Sequence, residues 1–374
     1  MSKRVVVAMS GGVDSSTALA MLKEQGYDCI GVSMQLWDYS KKDEPSGATP
    51  GSCCTLDDIN DARGVADKLG VPFYVMNMEE AFSKDVIEYF IKGYAQGTTP
   101  NPCIKCNQIL KFEVLLKKAM ALEADYLATG HYARITEADG RFKLLKGVDP
   151  DKDQSYFLFT MTQAQLGKVI FPVGGLTKKE VRLQARRLGL KTSEKQESQE
   201  ICFVEEPRYA DFLSSRIQAL PGDIVDLSGH LLGRHTGLFN YTIGQRKGLG
   251  LSGGPFYIID IDTKANRLVV GPSEGLLRKT LTASEVNWID PGAQKAAEQG
   301  LSGVEVKIRY GHSGSKASIT ALGIDRVRVV FDEPQKAITP GQAVVFYRGE
   351  EVIGGGWIEK PSTDEPMPGP VSAI

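Results

Sequence analysis

Val5-Val-Val-Ala-Met9 runs without interruption into Ser10-Gly-Gly-Val-Asp-Ser15 and then into Ser16-Thr-Ala-Leu-Ala-Met-Leu-Lys23. A fully apolar run, a Gly-rich turn and a helix-forming run in that order predict a buried strand, a tight turn and a helix. Such a turn holds phosphate. Gly11 and Gly12 let the backbone come close to a ligand. The following helix aims free N–H groups and the positive end of its dipole at the same point. Ser10 and Ser15 add hydroxyl donors, and Asp14 is a carboxylate suited to a Mg²⁺ that travels with phosphates. The turn lacks the lysine and spacing of a Walker A loop, and it lacks the Gly-x-Gly-x-x-Gly spacing of a dinucleotide site.

The 374 residues allow two or three domains. With 42% hydrophobic and 24% charged residues, the chain reads as globular and able to bury a core without disulfides. Its formal net charge of −2 excludes a globally basic nucleic-acid binder, so an RNA partner would need local basic patches. Met1-Ser-Lys-Arg4 leads straight into the first strand, and no apolar run reaches membrane-spanning length. A cytoplasmic location with reduced cysteines is therefore expected.

From residue 1 to about 135, strand signals (5–9, 29–36, 72–77, 125–130) alternate with helix signals (16–25, 57–69, 81–93, 111–121). This rhythm predicts a doubly wound parallel sheet. Residues 38–55 are polar and rich in Gly, Ser and Pro, and read as a mobile surface loop. Residues 177–188 read as a charged amphipathic helix. Beyond about residue 209, short β-like runs separated by Gly turns predict a small central α+β domain, and longer runs from about 280 predict a closed β-barrel. The expected division is 1–208, 209–278, 279–362 and a flexible tail at 363–374.

Six cysteines occur, at 29, 53, 54, 103, 106 and 202. Cys29 opens an apolar strand and reads as core. Cys53 and Cys54 sit in the polar loop with no visible metal-binding partners. Cys103 and Cys106 form Pro102-Cys-Ile-Lys-Cys-Asn107, expected in a Pro-stiffened loop just ahead of a helix, where a thiol becomes more acidic. No second Cys-x-x-Cys or His-x₃-His accompanies them, which argues against structural zinc. Cys202 lies in Ser198-Gln-Glu-Ile-Cys-Phe203 and alone could be core or functional.

The Ser10–Ser15 turn resembles the PP-loop of ATP pyrophosphatases, which cleave ATP between the α- and β-phosphates. Thr99-Pro-Asn-Pro-x-x-x-Cys-Asn107, Thr129-Gly-His-Tyr-Ala133, Asp151-Lys-Asp-Gln-Ser-Tyr156, Ser198–Phe203 and Tyr241-Thr-Ile-Gly-Gln-Arg-Lys-Gly248 follow it in order. Together the chain resembles the tRNA-specific 2-thiouridylases from end to end. That resemblance implies an ATP-using tRNA-uridine 2-sulfurtransferase acting on the wobble uridine. ATP would be held by Ala8, Met9, Ser10, Gly11, Gly12, Val13, Asp14 and Ser15, with Met34 and Gly130 lining the adenosine. Cys106 matches the nucleophile and Cys202 the persulfide carrier, and the two could form a redox disulfide. Asn101, Pro102 and Cys103 match the segment that receives the target base. His131, Lys152, Asp153, Gln154, Arg309, Tyr310 and Gln342 match positions that touch tRNA. The implied partners are the tRNA anticodon loop and a sulfur-donor protein, either a cysteine desulfurase or a relay carrier, with Mg²⁺ accompanying ATP.

Many members carry Asp where this chain has Cys103. Three cysteines, 103, 106 and 202, are then available to hold a [4Fe–4S] cluster with one open iron, an alternative route for sulfur. Basic stretches at Lys178-Lys179, Arg182, Arg186-Arg187 and Arg246-Lys247 are candidates for phosphate contact or simply solvated faces. Two rival readings stand beside thiolation. One is an adenylate-forming PP-loop ligase acting on a small metabolite, which leaves the cysteines unexplained. The other is a non-catalytic RNA-binding protein with a vestigial nucleotide site, which would not need the intact loop together with Cys106 and Cys202.

Overall fold

The computed structural model describes residues 2–38, 55–196, 201–203 and 209–361. Cys53, Cys54, nearly all of the expected surface loop and the expected tail lie outside these residues. Contacts divide the chain into two compact units. The first comprises Met1–Ile87, Pro102–Glu206 and Glu350–Val352, and the second the remainder.

The first unit is built on a parallel sheet of β1 (Arg4–Ala8), β2 (Asp28–Gln35), β3 (Phe73–Asn77), β4 (Tyr126–Ala128) and β7 (Val169–Ile170), in the order β3-β2-β1-β4-β7. Val5, Val6 and Val7 are wholly buried, as a central strand covered on both faces requires. The chain runs outward from β1 through β2 and β3, then restarts on the other side with β4. The order therefore reverses between β1 and β4, and an open α/β sheet binds ligands at the carboxyl ends of strands at such a reversal.

The helix Val13–Glu24 follows β1 and packs Ala18, Leu19, Ala20 and Leu22 into the core. The helix Leu56–Leu69 opens with a capping box between Thr55 and Asp58 and ends at Gly70, left-handed at φ +61°. An antiparallel hairpin, β5 (Ala133–Ala138) and β6 (Arg141–Lys146), was not anticipated. Its turn, Asp139-Gly140, has φ of +55° and +72°, the pairing that suits a two-residue hairpin. Beyond β6 the sheet is extended by Glu351 and Val352, opposite Leu145 and Leu144.

One expectation is corrected. The helix after the proline-rich loop begins at Pro102, with segments Pro102–Lys105, Cys106–Leu115 and Leu116–Ala121. Proline at the first helical position loses no intrahelical bond and brings a helical φ. Cys103 and Cys106 therefore stand within the first turns of a helix, not in a loop before it. The segment Cys106–Leu115 is wound as a π-helix.

The second unit has two β-cores. Strands β8 (Gly222–Val225), β9 (Leu231–His235), β10 (Tyr257–Asp262) and β11 (Arg267–Gly271) form a sheet ordered β10-β11-β8-β9 around Ile224, Ile258, Leu268 and Val270. Strands β12 (Leu277–Trp288), β13 (Leu301–Lys307), β14 (Ser315–Ala321), β15 (Val327–Lys336), β16 (Ala343–Arg348) and β17 (Glu351–Ile358) run β12-β15-β14-β13-β16-β17. Pairing of β12 with β17 closes them into a six-stranded antiparallel barrel. Phe331 and Phe346 fill its core. Strand β12 and the helix Pro291–Gln299 were not anticipated, because neither carries a long apolar run.

Candidate active site

The Ser10–Ser15 turn leaves β1 at the reversal point. Gly11 has φ +71°, and a Cβ there would lie 2.2 Å from the Asp58 carbonyl oxygen. Glycine is required on both counts. Gly12 is different: it is extended, φ −87° and ψ 168°, and a Cβ would meet only Ser10 Oγ at 3.6 Å. Of the two glycines expected to let the backbone approach a ligand, only Gly11 takes a left-handed angle and a close contact that exclude a side chain.

No side chain caps the helix that starts at Val13. Its first-turn N–H groups are thus available to an anion. Ser15 Oγ accepts from Ser10 N at 3.2 Å and donates to Gly12 O at 3.3 Å, folding the turn on itself. Ser33 Oγ donates to Met9 O at 2.7 Å and ties β2 to the loop. Met34 lies within β2, buried and opposite Met76 of β3. Gly130 follows β4, and a Cβ there would lie 2.6 Å from Ser15 N. The end of β4 therefore meets the first turn of the helix Val13–Glu24 backbone to backbone, closer than any side chain allows.

Asp14 does not stand alone. Tyr132 Oη donates to Asp14 Oδ1 at 2.7 Å, and Lys178 Nζ donates to Oδ1 and Oδ2 at 2.8 Å each. The ammonium also lies 5.6 Å from the centre of the Tyr132 ring. Lys178 N donates to Asp149 Oδ2 at 2.8 Å, and Thr177 and Glu180 form a capping box at the same helix start. Tyr132 is gripped in turn by Gln154: Tyr132 N donates to Gln154 Oε1 at 3.0 Å, and Gln154 N donates to Tyr132 O at 2.9 Å.

Residues matched to tRNA contact fall in several environments. Asp153 is buried and accepts from the backbone N–H groups of Gly147 and Ser155, both at 3.0 Å. His131 is buried between the rings of Phe112 and Phe171, with Nδ1 2.6 Å from Thr129 Oγ1. Burial holds its imidazole well below the usual histidine range, with the positive charge of Lys111 acting in the same direction. In the second unit, Gln342 Nε2 donates to Thr99 O at 2.8 Å, and Thr99 N donates to Pro340 O at 2.8 Å. Gln342 thereby fixes the approach to Asn101. Arg309 Nη1 donates to Lys336 O at 3.2 Å, and Tyr310 is exposed. Tyr241 is buried against His235.

Cys29 is buried in the sheet, and desolvation pushes its thiol up to about 11. Cys103 is exposed, while Cys106 and Cys202 are half-buried. Next to Cys106, Asn107 is buried, with its carboxamide N–H₂ directed to Phe157 O at 3.4 Å. Phe203, next to Cys202, packs against Phe82 (5.7 Å between centroids) and Trp37 (6.4 Å), just beyond the carboxyl end of β2. The stretch leading towards Cys202 is anchored by Lys195, whose ammonium reaches Asp58 Oδ1 at 2.6 Å and also Asp61.

The three-cysteine cluster finds no support in the structure. Cys103, Cys106 and Cys202 are all described, yet among the described residues no group of three or more His, Cys, Asp and Glu side chains could hold a metal ion. Cys103 is exposed while the other two are half-buried. The basic helix Lys178–Arg187 also spends its charge internally: Arg186 on Glu194, Arg187 on Glu24, and Arg182 on the carbonyls of Ser193 and Lys195. Sequence reasoning missed Tyr132 and Lys178 as partners of Asp14.

Comparison with known proteins adds three matches. The family model described as the tRNA methyl transferase HUP domain matches residues 3–206. The tRNA methyl transferase PRC-barrel domain matches 210–272, and the aminomethyltransferase beta-barrel domain matches 278–358. The chain is 53% identical to the tRNA-specific 2-thiouridylase MnmA of Geobacter metallireducens, over 97% of this chain and 98% of that protein. It is 51% identical to the protein of the same name from Magnetococcus marinus, over 95% and 99%. For the Heliobacterium modesticaldum protein of that name the identity is 50%, over 100% and 98%.

Proposed function

This chain belongs to the tRNA-specific 2-thiouridylase family, and from that premise we infer that it is a tRNA sulfurtransferase making 2-thiouridine at the wobble position. The observation that carries this reading is the Ser10–Ser15 loop at the sheet's reversal point, pressed against Gly130, in a chain related to these enzymes from end to end. A metabolite ligase or a vestigial binding protein would leave Cys106 at a helix start and Cys202 beside its aromatic anchor without a task.

The uridine C2 oxygen is a poor leaving group, and ATP makes it a good one. The oxygen attacks the α-phosphorus, the bond to pyrophosphate breaks, and the base is left adenylated. Residues Ala8–Ser15 hold the phosphates through backbone N–H groups and the helix dipole, which stabilise the developing charge. Met34 and Gly130 bound the adenosine. Mg²⁺ would neutralise phosphate oxygens, with Asp14 the oxygen donor within the loop.

Sulfur arrives on Cys202 as a persulfide from a donor protein, a cysteine desulfurase or relay carrier. Cys106 thiolate attacks the Cys202 sulfur, forming a Cys106–Cys202 disulfide and releasing hydrosulfide, which adds at C2 and expels AMP. Alternatively the persulfide sulfur adds at C2 directly, and Cys106 then frees the thiolated base by forming the same disulfide. A dithiol reductant resets either cycle. Asn101, Pro102 and Cys103 receive the base, splayed from a single-stranded loop. Lys152, Arg309, Tyr310 and Gln342 contact or frame the tRNA, while His131, Asp153 and Gln154 support that surface from within.

We divide the chain into a catalytic domain at 1–208, a central domain at 209–278 and a barrel at 279–362, with 363–374 as a tail. The extents of the family matches support this division. Among the described residues no helix is long and apolar enough to cross a membrane. A cytoplasmic location suits tRNA as substrate.

The test is direct. With ATP, a persulfide donor and unmodified tRNA under reducing anaerobic conditions, the enzyme should yield 2-thiouridine and AMP. Cys106→Ser and Cys202→Ser should abolish the thiolated product, and Cys29→Ser should retain it. Absence of tRNA-dependent AMP from the unaltered enzyme would overturn the reading.

A further inference from the structure

The phosphate loop has no lysine of its own, yet the fold delivers one to it. Lys178, 164 residues beyond Asp14, places its ammonium 2.8 Å from both Asp14 oxygens, in the first turn of the helix that the loop feeds. We propose that Lys178 is a phosphate-binding residue of the ATP site, parked on Asp14 until nucleotide arrives. The proposal rests on the reading that this loop binds ATP.

Three features single out this cation. Its side chain is only 11% exposed, whereas the neighbouring charges Arg186 and Arg187 are more than half exposed and paired on the surface. Its backbone is held in place: Lys178 N donates to Asp149 Oδ2, and Thr177 and Glu180 cap the helix from either side of it. A lysine used only as a surface ion-pair partner has no need of such fixing. Finally, its partner Asp14 is 30% exposed and lies where the dipole of Val13–Glu24 favours an anion. Asp14 occupies, as a carboxylate, the electrostatic position that suits phosphate. A triphosphate carries more charge than one carboxylate. Its arrival would draw the ammonium across and release Asp14 for the cation that accompanies ATP. Tyr132 stays as the hinge of this exchange, because its hydroxyl touches Asp14 and its ring faces the ammonium. The lysine would offer the transferring phosphates the point charge that a Walker loop carries in its own sequence.

The test compares a nucleotide that has phosphates with one that has none. Dissociation constants for ATP and for adenosine are measured on the full-length enzyme and on Lys178→Gln and Lys178→Arg. Losing a charge-assisted contact should weaken ATP about ten- to a hundredfold. Adenosine should change less than about twofold, since its contacts lie at Met34 and Gly130, and Lys178→Arg should recover part of the ATP loss. Equal ATP affinity in Lys178→Gln and the unaltered enzyme overturns the proposal. So does parallel loss of both ligands in both variants, which would make Lys178 a structural partner of Asp14 only. Failure of the unaltered enzyme to bind ATP refutes the underlying reading instead.

Discussion

At Gly11 a single hydrogen in place of a methyl decides whether the phosphate loop can form. Gly11→Ala sets a left-handed φ against an L-residue and drives a Cβ to 2.2 Å from Asp58 O. The strain and the clash together should cost about 2–4 kcal/mol and abolish ATP binding. Gly12→Ala, with open space and an extended backbone, should cost less than about 1 kcal/mol. Urea unfolding with ATP titration checks both, and equal effects would refute the distinction. The sequence shows two adjacent glycines and a phosphate loop, but not which glycine is obligatory, because that depends on Asp58, 47 residues away in another helix. His131 carries a second residue-scale prediction. Burial keeps it neutral in the native state, well below its ordinary value of 6.5. Below about pH 6.5 the unfolded chain binds a proton that the native state refuses, so stability falls with falling pH, at most about 1.4 kcal/mol per pH unit. His235 and His312 shift in the same direction, again chiefly through burial. Hence the difference in urea stability between pH 7 and pH 5 should shrink, not vanish, in His131→Asn, and an unchanged difference argues against a neutral His131.

Helix starts are the elements that place the chemistry. Thr177→Ala removes the side-chain half of a capping box, the hydroxyl that accepts from Glu180 N, and should destabilise by about 1 kcal/mol. Because that cap fixes Lys178, the same change should weaken ATP binding more than a cap lost elsewhere, for example at Thr162, where another capping box starts a four-residue helix. The two affinities measured side by side decide it. The parallel strands were legible because β1 is built on a continuous apolar run and β2 is largely apolar, and the helix Leu56–Leu69 because Gly70 stops it. Three elements were not. The helix at Pro102 looked like a loop, since two prolines in three residues suggest rigidity more readily than a helix start. The hairpin Ala133–Lys146 was overlooked despite Asp139-Gly140, a strong two-residue turn signal. Strand β12 mixes Lys, Thr, Ser and Asn with few apolar residues, as a strand half-exposed along its length can.

For the whole molecule, ATP chemistry and the barrel rest on separate cores. Phe331 is fully buried in the barrel, and Phe331→Ala should cost about 3–5 kcal/mol there. The hydrophobic cluster around the loop contains none of the barrel's residues. We therefore expect Phe331→Ala to weaken tRNA binding, read by filter retention, while leaving adenosine affinity intact; coupled loss of both would refute that separation. The sequence resolved the order of these parts along the chain. Lys178 escaped it because only the folded sheet brings position 178 to position 14.

The catalytic unit is not finished where its contiguous stretch of chain ends. Glu351 and Val352 form the strand beside β6, Glu351 pairs with Arg141, and Glu350 pairs with Arg134. On the ribosome, the Ser10–Ser15 loop, Lys178, Cys106 and Cys202 are synthesised well before that strand appears. Throughout that interval the backbone edge of Leu144 and Leu145 waits unpaired, and an unpaired edge is a template for association with another chain. Nascent protein is thus exposed to misassembly until almost the last residues emerge, and a gene encoding only the first 208 residues would make that exposure permanent.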